Sequence, residues 1–353
     1  MKIGIITFHR AHNYGAVLQC YALQEVLKGL GFDVCVIDYY QPATENAYKV
    51  MSWHALWYYK IHPRDLFRYL RKWPMRIERD KKFAEFRNKF FCLSPACFSN
   101  QDVPSMDCYV IGSDQLWNTR ITNGYDSVFL GDFKRPANSR MVTYAVSGNM
   151  ATLNAFTDEQ LNKYTHLFDT LSLREKNMAE SITQRTGLTT RVDLDPTLLT
   201  DRKLWEHMTT DEFKDKRYVL MYQIRRPIGD VNLLNRKAKQ LAKQMNCKVI
   251  DLTDMTTYSP SQFVSLFKYA QCVITSSFHA TVFALIFERP LYSVLLHDGH
   301  DGRYENLLHQ LGAEKLLVET NFDPTPFEFD YTEVRKRLLE LRKDSLQYLA
   351  NLA

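Results

Sequence analysis

The residues best equipped for chemistry sit in short polar clusters that interrupt apolar runs. The densest is VITSSFHATVFALIF (residues 273–287), where Thr275, Ser276 and Ser277 precede His279 and the remainder is almost wholly apolar. Such a run reads as a buried helix, and a buried imidazole is costly unless it has a partner or a chemical task. The N–H groups that open the helix suit an anion, so Ser276 and Ser277 lie where one would be held. An unperturbed histidine, with a pKa of about 6.5, is the side chain type able to give or take a proton near neutrality. A satisfied core histidine is the plainer alternative.

Arginines complete the requirements of an anion site. Arg303 ends the loop HDGHDGR (297–303) and is either an anion hand or a solvated cation. Arg174, in SLREK (172–176), stands at a strand-to-helix junction, to hold a carboxylate or phosphate or to pair with Glu175 or another acid. His297, Asp298, His300 and Asp301 have the side chains of metal ligands, but two glycines make this a loop and no second cluster accompanies it. No metal is expected.

Three more clusters read as the carboxyl ends of parallel strands, where open α/β sheets bind ligands. VIGSDQLWN (110–118) presents Ser113, Asp114 and Gln115; Ser113 and Asp114 are alternatively helix caps. YAVSGNM (144–150) presents Ser147 and Asn149, or an ordinary turn. HNYGAVLQCYALQ (12–24) presents Asn13, Tyr14 and Gly15, with Gly15 permitting close approach and Asn13 able to cap. One glycine is not the G-x-G-x-x-G of a dinucleotide site. DPTLL (195–199) reads as a structural pre-proline turn.

These clusters need short buried strands alternating with helices, and the hydrophobic pattern provides two such stretches. The first predicts strands at 2–7, 33–38, 108–111, 141–145 and 170–173, with helices at 14–30 and 175–186. The second predicts strands at 218–222, 248–252, 272–275 and 291–295, with helices at 233–245, 261–268 and 280–287. The fold class is therefore α/β with two Rossmann-like domains, residues 1–205 and 206–330, the first interrupted by a basic, aromatic-rich helical insert at 43–100. The terminal segment 331–353 is an amphipathic helix with Val334, Leu338, Leu341 and Leu349 on one stripe that must be buried.

Composition narrows the function classes. With 45% apolar and 24% charged residues the chain is globular. The net charge of +5 is local: residues 49–91 hold twelve Lys and Arg against four Asp and Glu, and the rest of the chain is slightly acidic. That is not the general field of a nucleic-acid-binding protein, and no nucleic-acid partner is expected. The same segment carries eleven aromatics, which suits an anionic membrane surface or, more plainly, amphipathic helices packed on the first domain. Seven cysteines with no C-x-x-C pair read as reduced thiols of a cytoplasmic protein. No stretch is apolar enough for a transmembrane span.

Taken in order, NYGAVLQCYALQ, GSDQLWN, SLRE, DPTLL and TSSFHATVFALIFERP resemble the polysaccharide pyruvyl transferase family over roughly residues 2–310. The resemblance implies two domains facing a central cleft, as in glycosyltransferases of the B type, with the terminal helix packing back on the first. It implies transfer of the pyruvyl group of phosphoenolpyruvate onto two hydroxyls of a polysaccharide precursor as a cyclic ketal, with release of phosphate and no cofactor. The saccharide acceptor is expected to be lipid-linked, and the enzyme to lie in the cytoplasm, peripheral on the inner membrane face. His279 and Asp114 become the expected catalytic pair. Arg303, Arg174, Ser276 and Ser277 are assigned to the donor, and Asn13, Tyr14, Gly15, Ser113, Gln115, Ser147 and Asn149 to the acceptor. Many members carry R-x-H where this chain has Ser277-Phe278-His279, and Arg303 is the natural substitute for that arginine. A nucleotide-sugar glycosyltransferase and an inactive saccharide-binding homologue are the competing readings.

Overall fold

A computed structural model of the chain describes residues 1–50, 70–225, 227, 229–253, 257–299 and 301–352. The chain divides into two units, Met1–Leu199 with Asp344–Ala353, and Thr200–Lys343. The division precedes Trp205, whose ring packs 4.8 Å from Phe283 in the second unit.

In the first unit β1 (Lys2–Ile6), β2 (Asp33–Tyr39), β3 (Leu93–Cys97), β4 (Cys108–Trp117), β5 (Arg140–Gly148), β6 (Leu171–Leu173) and β7 (Thr190–Val192) form a parallel sheet. Its order is β3-β2-β1-β4-β5-β6-β7. The central strands are continuous apolar runs because both faces are covered: Ile3, Ile5, Val36, Ile37, Val110 and Ile111 are all fully buried. Helix α1 (Tyr14–Gly29) starts where the Asn13 side chain accepts the Gly15 N–H. Helices α2 (Pro42–Tyr48) and α3 (Trp73–Phe90) follow β2, and α4 (Lys176–Thr186) ends at Gly187 in the left-handed region.

Two sequence expectations change here. The segment 43–100 is not a wholly helical insert, because its last part is β3, the sheet edge beside β2. Within it Phe83, Phe86 and Phe91 are buried, and Phe86 and Phe90 pack on Tyr21 of α1, so these aromatics are core and do not face a membrane. Trp53, Trp57, Tyr58, Tyr59, Phe67 and Tyr69 lie outside the described residues. Strands β4 and β5 also run further than their apolar patterns, staying paired from Cys108 with Arg140 to Trp117 with Gly148. Their polar ends are strand, with a register shift between Asp114 and Trp117.

Gly112 makes that extension possible. It has φ +132°, and a Cβ there would lie 2.1 Å from the Tyr144 carbonyl oxygen on β5.

In the second unit β8 (Tyr218–Tyr222), β9 (Lys248–Asp251), β10 (Cys272–Thr275), β11 (Leu291–Val294) and β12 (Leu317–Val318) form a parallel sheet ordered β12-β11-β10-β8-β9. Its principal helices are α5 (Leu233–Gln244), α6 (Pro260–Tyr269), α7 (Phe278–Ile286) and α8 (Gly302–Gln310). Ser259 and Gln262 form a capping box that starts α6. Every residue of α7 is buried, as its apolar sequence requires. The last helix, α9 (Thr332–Ala350), belongs to the second unit through Lys343 and to the first from Asp344. In the first unit the Tyr348 hydroxyl donates to the Thr143 carbonyl at 2.9 Å and Ser345 Oγ to Asp193 at 2.8 Å. No helix among the described residues is long and apolar enough to cross a membrane.

Gly112→Ala should therefore destabilise the first unit by about 3 kcal/mol, since backbone must move to admit the methyl group. Gly29→Ala, at the end of α1 with nothing within 4 Å, should be neutral or stabilising by up to about 1 kcal/mol. Urea unfolding of both variants checks the contrast.

Candidate active site

Each sheet reverses its strand order once, between β1 and β4 in the first unit and between β8 and β10 in the second. The carboxyl ends of strands at such a reversal are where open α/β sheets bind ligands, and the chemistry-bearing clusters follow these strands or their neighbours.

At the β8/β10 point of the second unit, β10 delivers Ser276 and Ser277, and α7 begins immediately with Phe278 and His279. His279 is 9% exposed, Ser276 1% and Ser277 2%. The Ser277 N–H is tied to Thr275 Oγ1 at 3.0 Å, while Ser277 Oγ has no hydrogen-bond partner among the described residues. Neither has Gln223 Oε1, buried just past the end of β8. A buried polar atom left unsatisfied costs about 1–3 kcal/mol, so these two atoms are ready to meet a polar ligand.

Arg225, two residues further, joins the pieces. Its Nη2 donates to the Ser276 carbonyl at 3.3 Å and to Asp301 Oδ1 at 3.1 Å, its Nη1 to Asp298, and its own carbonyl accepts from Ser276 Oγ at 3.3 Å. Asp301 also accepts the backbone N–H groups of Leu296 and His297 at 2.7 and 2.6 Å. Burial pushes the Asp301 carboxyl up, but the Tyr304 hydroxyl, the His297 N–H and Arg225 outweigh it and hold it below its ordinary value. The HDGHDG carboxylates thus organise a loop around Arg225, and His297 pairs with Glu319 at 2.6 Å. Among the described residues no three His, Cys, Asp or Glu side chains converge on a metal-sized site. Arg303 lies in the first turn of α8, two residues after Asp301.

At the β1/β4 point of the first unit the expected acceptor residues divide into scaffold and surface. Ser113 is fully buried, donating Oγ to the Ala145 carbonyl at 2.7 Å, and its carbonyl accepts from Thr7 Oγ1 at 2.8 Å. Ser147 is also fully buried, its hydroxyl bonded to Glu175 at 2.7 Å. Both hold strands in place, a correction to their assignment as acceptor contacts. Arg174 joins this scaffold: its guanidinium meets Asp195 at 2.7 Å and Glu175 at 3.5 Å. Burial alone would lower its pKa, but Glu175, Asp195 and Asp114 overcome that and raise it. Its charge is already answered within the protein, which removes the reason for assigning it to the donor. Asp195 Oδ1 also caps Thr197, consistent with a structural DPTLL turn.

Asp114, Gln115 and Asn149 are half-buried. Asp114 sits at φ +79°, a strained conformation for a non-glycine residue, with its side chain accepting the Gln115 N–H at 2.8 Å. Gln115 accepts from Asn118 at 2.8 Å, and Asn118 from Asn149 at 2.7 Å, which aligns three amides across two strand ends. Asn13 caps α1 beside buried Tyr14 and Gly15, and Arg79 of α3 donates to the His12 carbonyl at 2.8 Å. Sequence reading passes over Arg225, His12, Arg79 and Arg87. Arg225 lies three residues past the strand YVLMY, so the rule that flagged the other strand ends applies to it as well.

Two parallel-sheet Rossmann-like units, each with polar and cationic groups at its own strand-order reversal, make this an α/β protein. The chain belongs to the polysaccharide pyruvyl transferase family, whose model matches residues 13–298. No curated protein matches it significantly. Among solved structures, the UDP-GlcNAc 2-epimerase of Methanocaldococcus jannaschii with UDP-GlcNAc and UDP gives a TM-score of 0.43 at 12% identity, over 98% of this chain and 93% of that one. The glycosyltransferase SnogD from Streptomyces nogalater gives 0.41 at 10%, over 100% and 98%. The UDP-GlcNAc 2-epimerase from Neisseria meningitidis bound to UDP-GlcNAc gives 0.44 at 11%, over 96% and 100%.

Because the folded Asp301 carboxyl is held below the unfolded value of about 3.9, its stabilisation is present above that pH and lost as pH falls through the folded value. Asp301→Asn should lower stability at pH 7 and flatten the decline as pH falls below about 4. Urea midpoints at pH 7, 4 and 3 for both proteins test this.

Proposed function

We propose that the chain transfers the pyruvyl group of phosphoenolpyruvate onto two hydroxyls of a saccharide in a polysaccharide precursor, forming a cyclic ketal and releasing phosphate. The observation that carries this reading is His279, buried at the opening of α7 beside the Ser277 hydroxyl at a strand-order reversal. A proton is delivered to the methylene carbon of the enol, one acceptor hydroxyl bonds to the neighbouring carbon, phosphate departs with its oxygen, and the second hydroxyl closes the ring. His279 delivers the proton, and a carboxylate, for which Asp114 is the candidate, takes one from the attacking hydroxyl. Arg303 and the α7 N–H groups hold the donor's phosphate and carboxylate, and Arg225 positions Ser276 and the loop before α8. Asn13, Gln115 and Asn149 contact the acceptor.

His279→Ala should keep its fold and lose turnover by about 10²–10⁴, read as phosphate release from phosphoenolpyruvate that depends on a saccharide acceptor. Release that is undiminished in this variant removes His279 from the mechanism. Consumption of a nucleotide sugar, with phosphoenolpyruvate left intact, replaces the reading with glycosyl transfer.

The precursor in this reading is lipid-linked, and residues 49–91 bring the enzyme to an anionic membrane face. Support comes from the local charge and from Leu70, Met75 and Ile77, which are 41, 39 and 52% exposed among basic residues. Sedimentation with anionic liposomes should carry the protein down at low salt and release much of it at high salt. Protein that stays in the supernatant at low salt leaves the segment a structural one.

A further inference from the structure

Arg87 is a buried cation that the proposed chemistry leaves unused. It lies on the face of α3 that carries Phe83, one turn away, and Phe83 packs against His12 at 5.2 Å and Tyr14 at 5.3 Å. Arg87 is 8% exposed, and its Nη1 is buried with no hydrogen-bond partner among the described residues. The surrounding carboxylates are already matched. Asp38 is held by His9 at 2.9 Å and by Arg10 at 2.9 Å, Glu45 by Arg10 at 2.7 Å, and Asp80 by His12 at 3.2 Å.

A guanidinium is expensive to bury without a counter-charge, and a chain with a free choice would place methionine or leucine there. The electrostatic consequences are visible in its neighbours. Burial, and after it Arg87, Arg79 and Arg10, lower the His12 imidazole to about 4, although Asp80 lies 3.2 Å away. Burial first, and then Arg10, lower the pKa of Arg87 itself against the opposing pull of Asp80, Glu45 and Asp38, so these three carboxylates only partly offset the cost of burying its charge. Arg79, one turn earlier on the same face as Phe83, reaches the His12 carbonyl, so two α3 guanidiniums flank the loop between β1 and α1. That loop is the carboxyl end of β1, at the strand-order reversal of this unit.

We propose that Arg87, with Arg79 and the opening turn of α1, forms an anion subsite in the first unit that takes the phosphate of a glycosyl phosphate or diphosphate acceptor. The assignment rests on the reading of this unit as the acceptor side. It gives that unit a handle on the acceptor which does not depend on the sugar's hydroxyls. A planar fork suits phosphate oxygens, and the phosphate supplies the counter-charge that the protein withholds.

Three probes test the subsite by calorimetry with phosphoenolpyruvate saturating, so that donor-site occupancy by phosphate groups is already filled: inorganic pyrophosphate, glucose 1-phosphate and farnesyl diphosphate. Wild-type protein should bind at least one of them alongside phosphoenolpyruvate, and Arg87→Met should weaken that binding at least tenfold. Farnesyl diphosphate binding tighter than glucose 1-phosphate identifies a lipid-linked source, and the reverse identifies a soluble sugar phosphate. Arg87→Met should unfold at a urea midpoint no lower than wild type, because an under-compensated buried charge has been removed. Absence of binding by all three probes overturns the subsite, and so does binding that survives Arg87→Met. A large drop in the urea midpoint would show Arg87 to be structural. Phosphoenolpyruvate binding is measured first and separately, so failure of the transfer reading is distinguishable from failure of the subsite.

Discussion

A parallel sheet must regain each strand through a crossover, and when the strand order reverses, the loops after two adjacent strands leave toward opposite faces. That constraint governs this protein twice. In the first unit it separates the loop after β1 from the end of β4, paired directly through Ile3 with Cys108 and Ile6 with Ile111. In the second it separates the end of β8 from the end of β10, paired through Cys272 with Val219 and Thr275 with Tyr222. Each polar cluster of chemical interest follows one of these strands or its neighbour, and helices α1 and α7 point their opening turns into the same places.

Keeping polar strand ends in order requires a second device. Ala145 lies in β5 at φ +42°, a conformation that a residue with a Cβ adopts at a cost of about 1–3 kcal/mol. Its carbonyl accepts Ser113 Oγ from β4 at 2.7 Å, and its N–H donates to Ser172 Oγ on β6 at 2.9 Å. Gln19 of α1 then holds the Ser113 N–H at 3.2 Å and donates to Thr7 at 2.8 Å. Hydroxyls that resemble ligand contacts in sequence instead tie three strands and a helix together, and a satisfied buried network of this kind fixes one geometry. The half-buried groups beyond it, Asp114, Gln115 and Asn149, are thereby held without being sealed.

The sequence pattern carried most of the scaffold because its strands are covered on both faces. Runs such as KIGII and YVLMY have no polar alternation to confuse them, and caps such as Asn13 and Gly187 mark helix ends within a residue or two. The short edge strands β3, β7 and β12 were illegible: LSPAC and TRV are half-exposed, and β12 is two residues long, so none has a hydrophobic signature. The extension of β4 and β5 was hidden for another reason. Polar residues at a strand end look the same whether they face a ligand or bond across the sheet, and only three-dimensional pairing separates Ser113 from Gln115. His279 was legible because one imidazole in an apolar helix contradicts its surroundings. Arg87 was not, since nothing in the sequence distinguishes it, buried as it is, from the other eleven cations of residues 49–91.

The arginines show how context assigns a role to an unchanging side chain. Arg174 is as buried as Arg87, yet Asp195 and Glu175 meet it, and their field raises its pKa above the ordinary value despite desolvation. Arg225 is bound by Asp298 and Asp301, and the backbone bonds to Asp301 fix it in turn. Removing either partner from such a pair leaves a buried charge uncovered, so matched arginines are members of the scaffold. Arg87 shifts in the other direction, because burial and Arg10 together outweigh the favourable but more distant Asp80, Glu45 and Asp38, which pair at short range with other groups. What separates the two is therefore geometry: Arg174 and Arg225 meet carboxylates at hydrogen-bond distance, while Arg87 Nη1 is buried with no hydrogen-bond partner among the described residues.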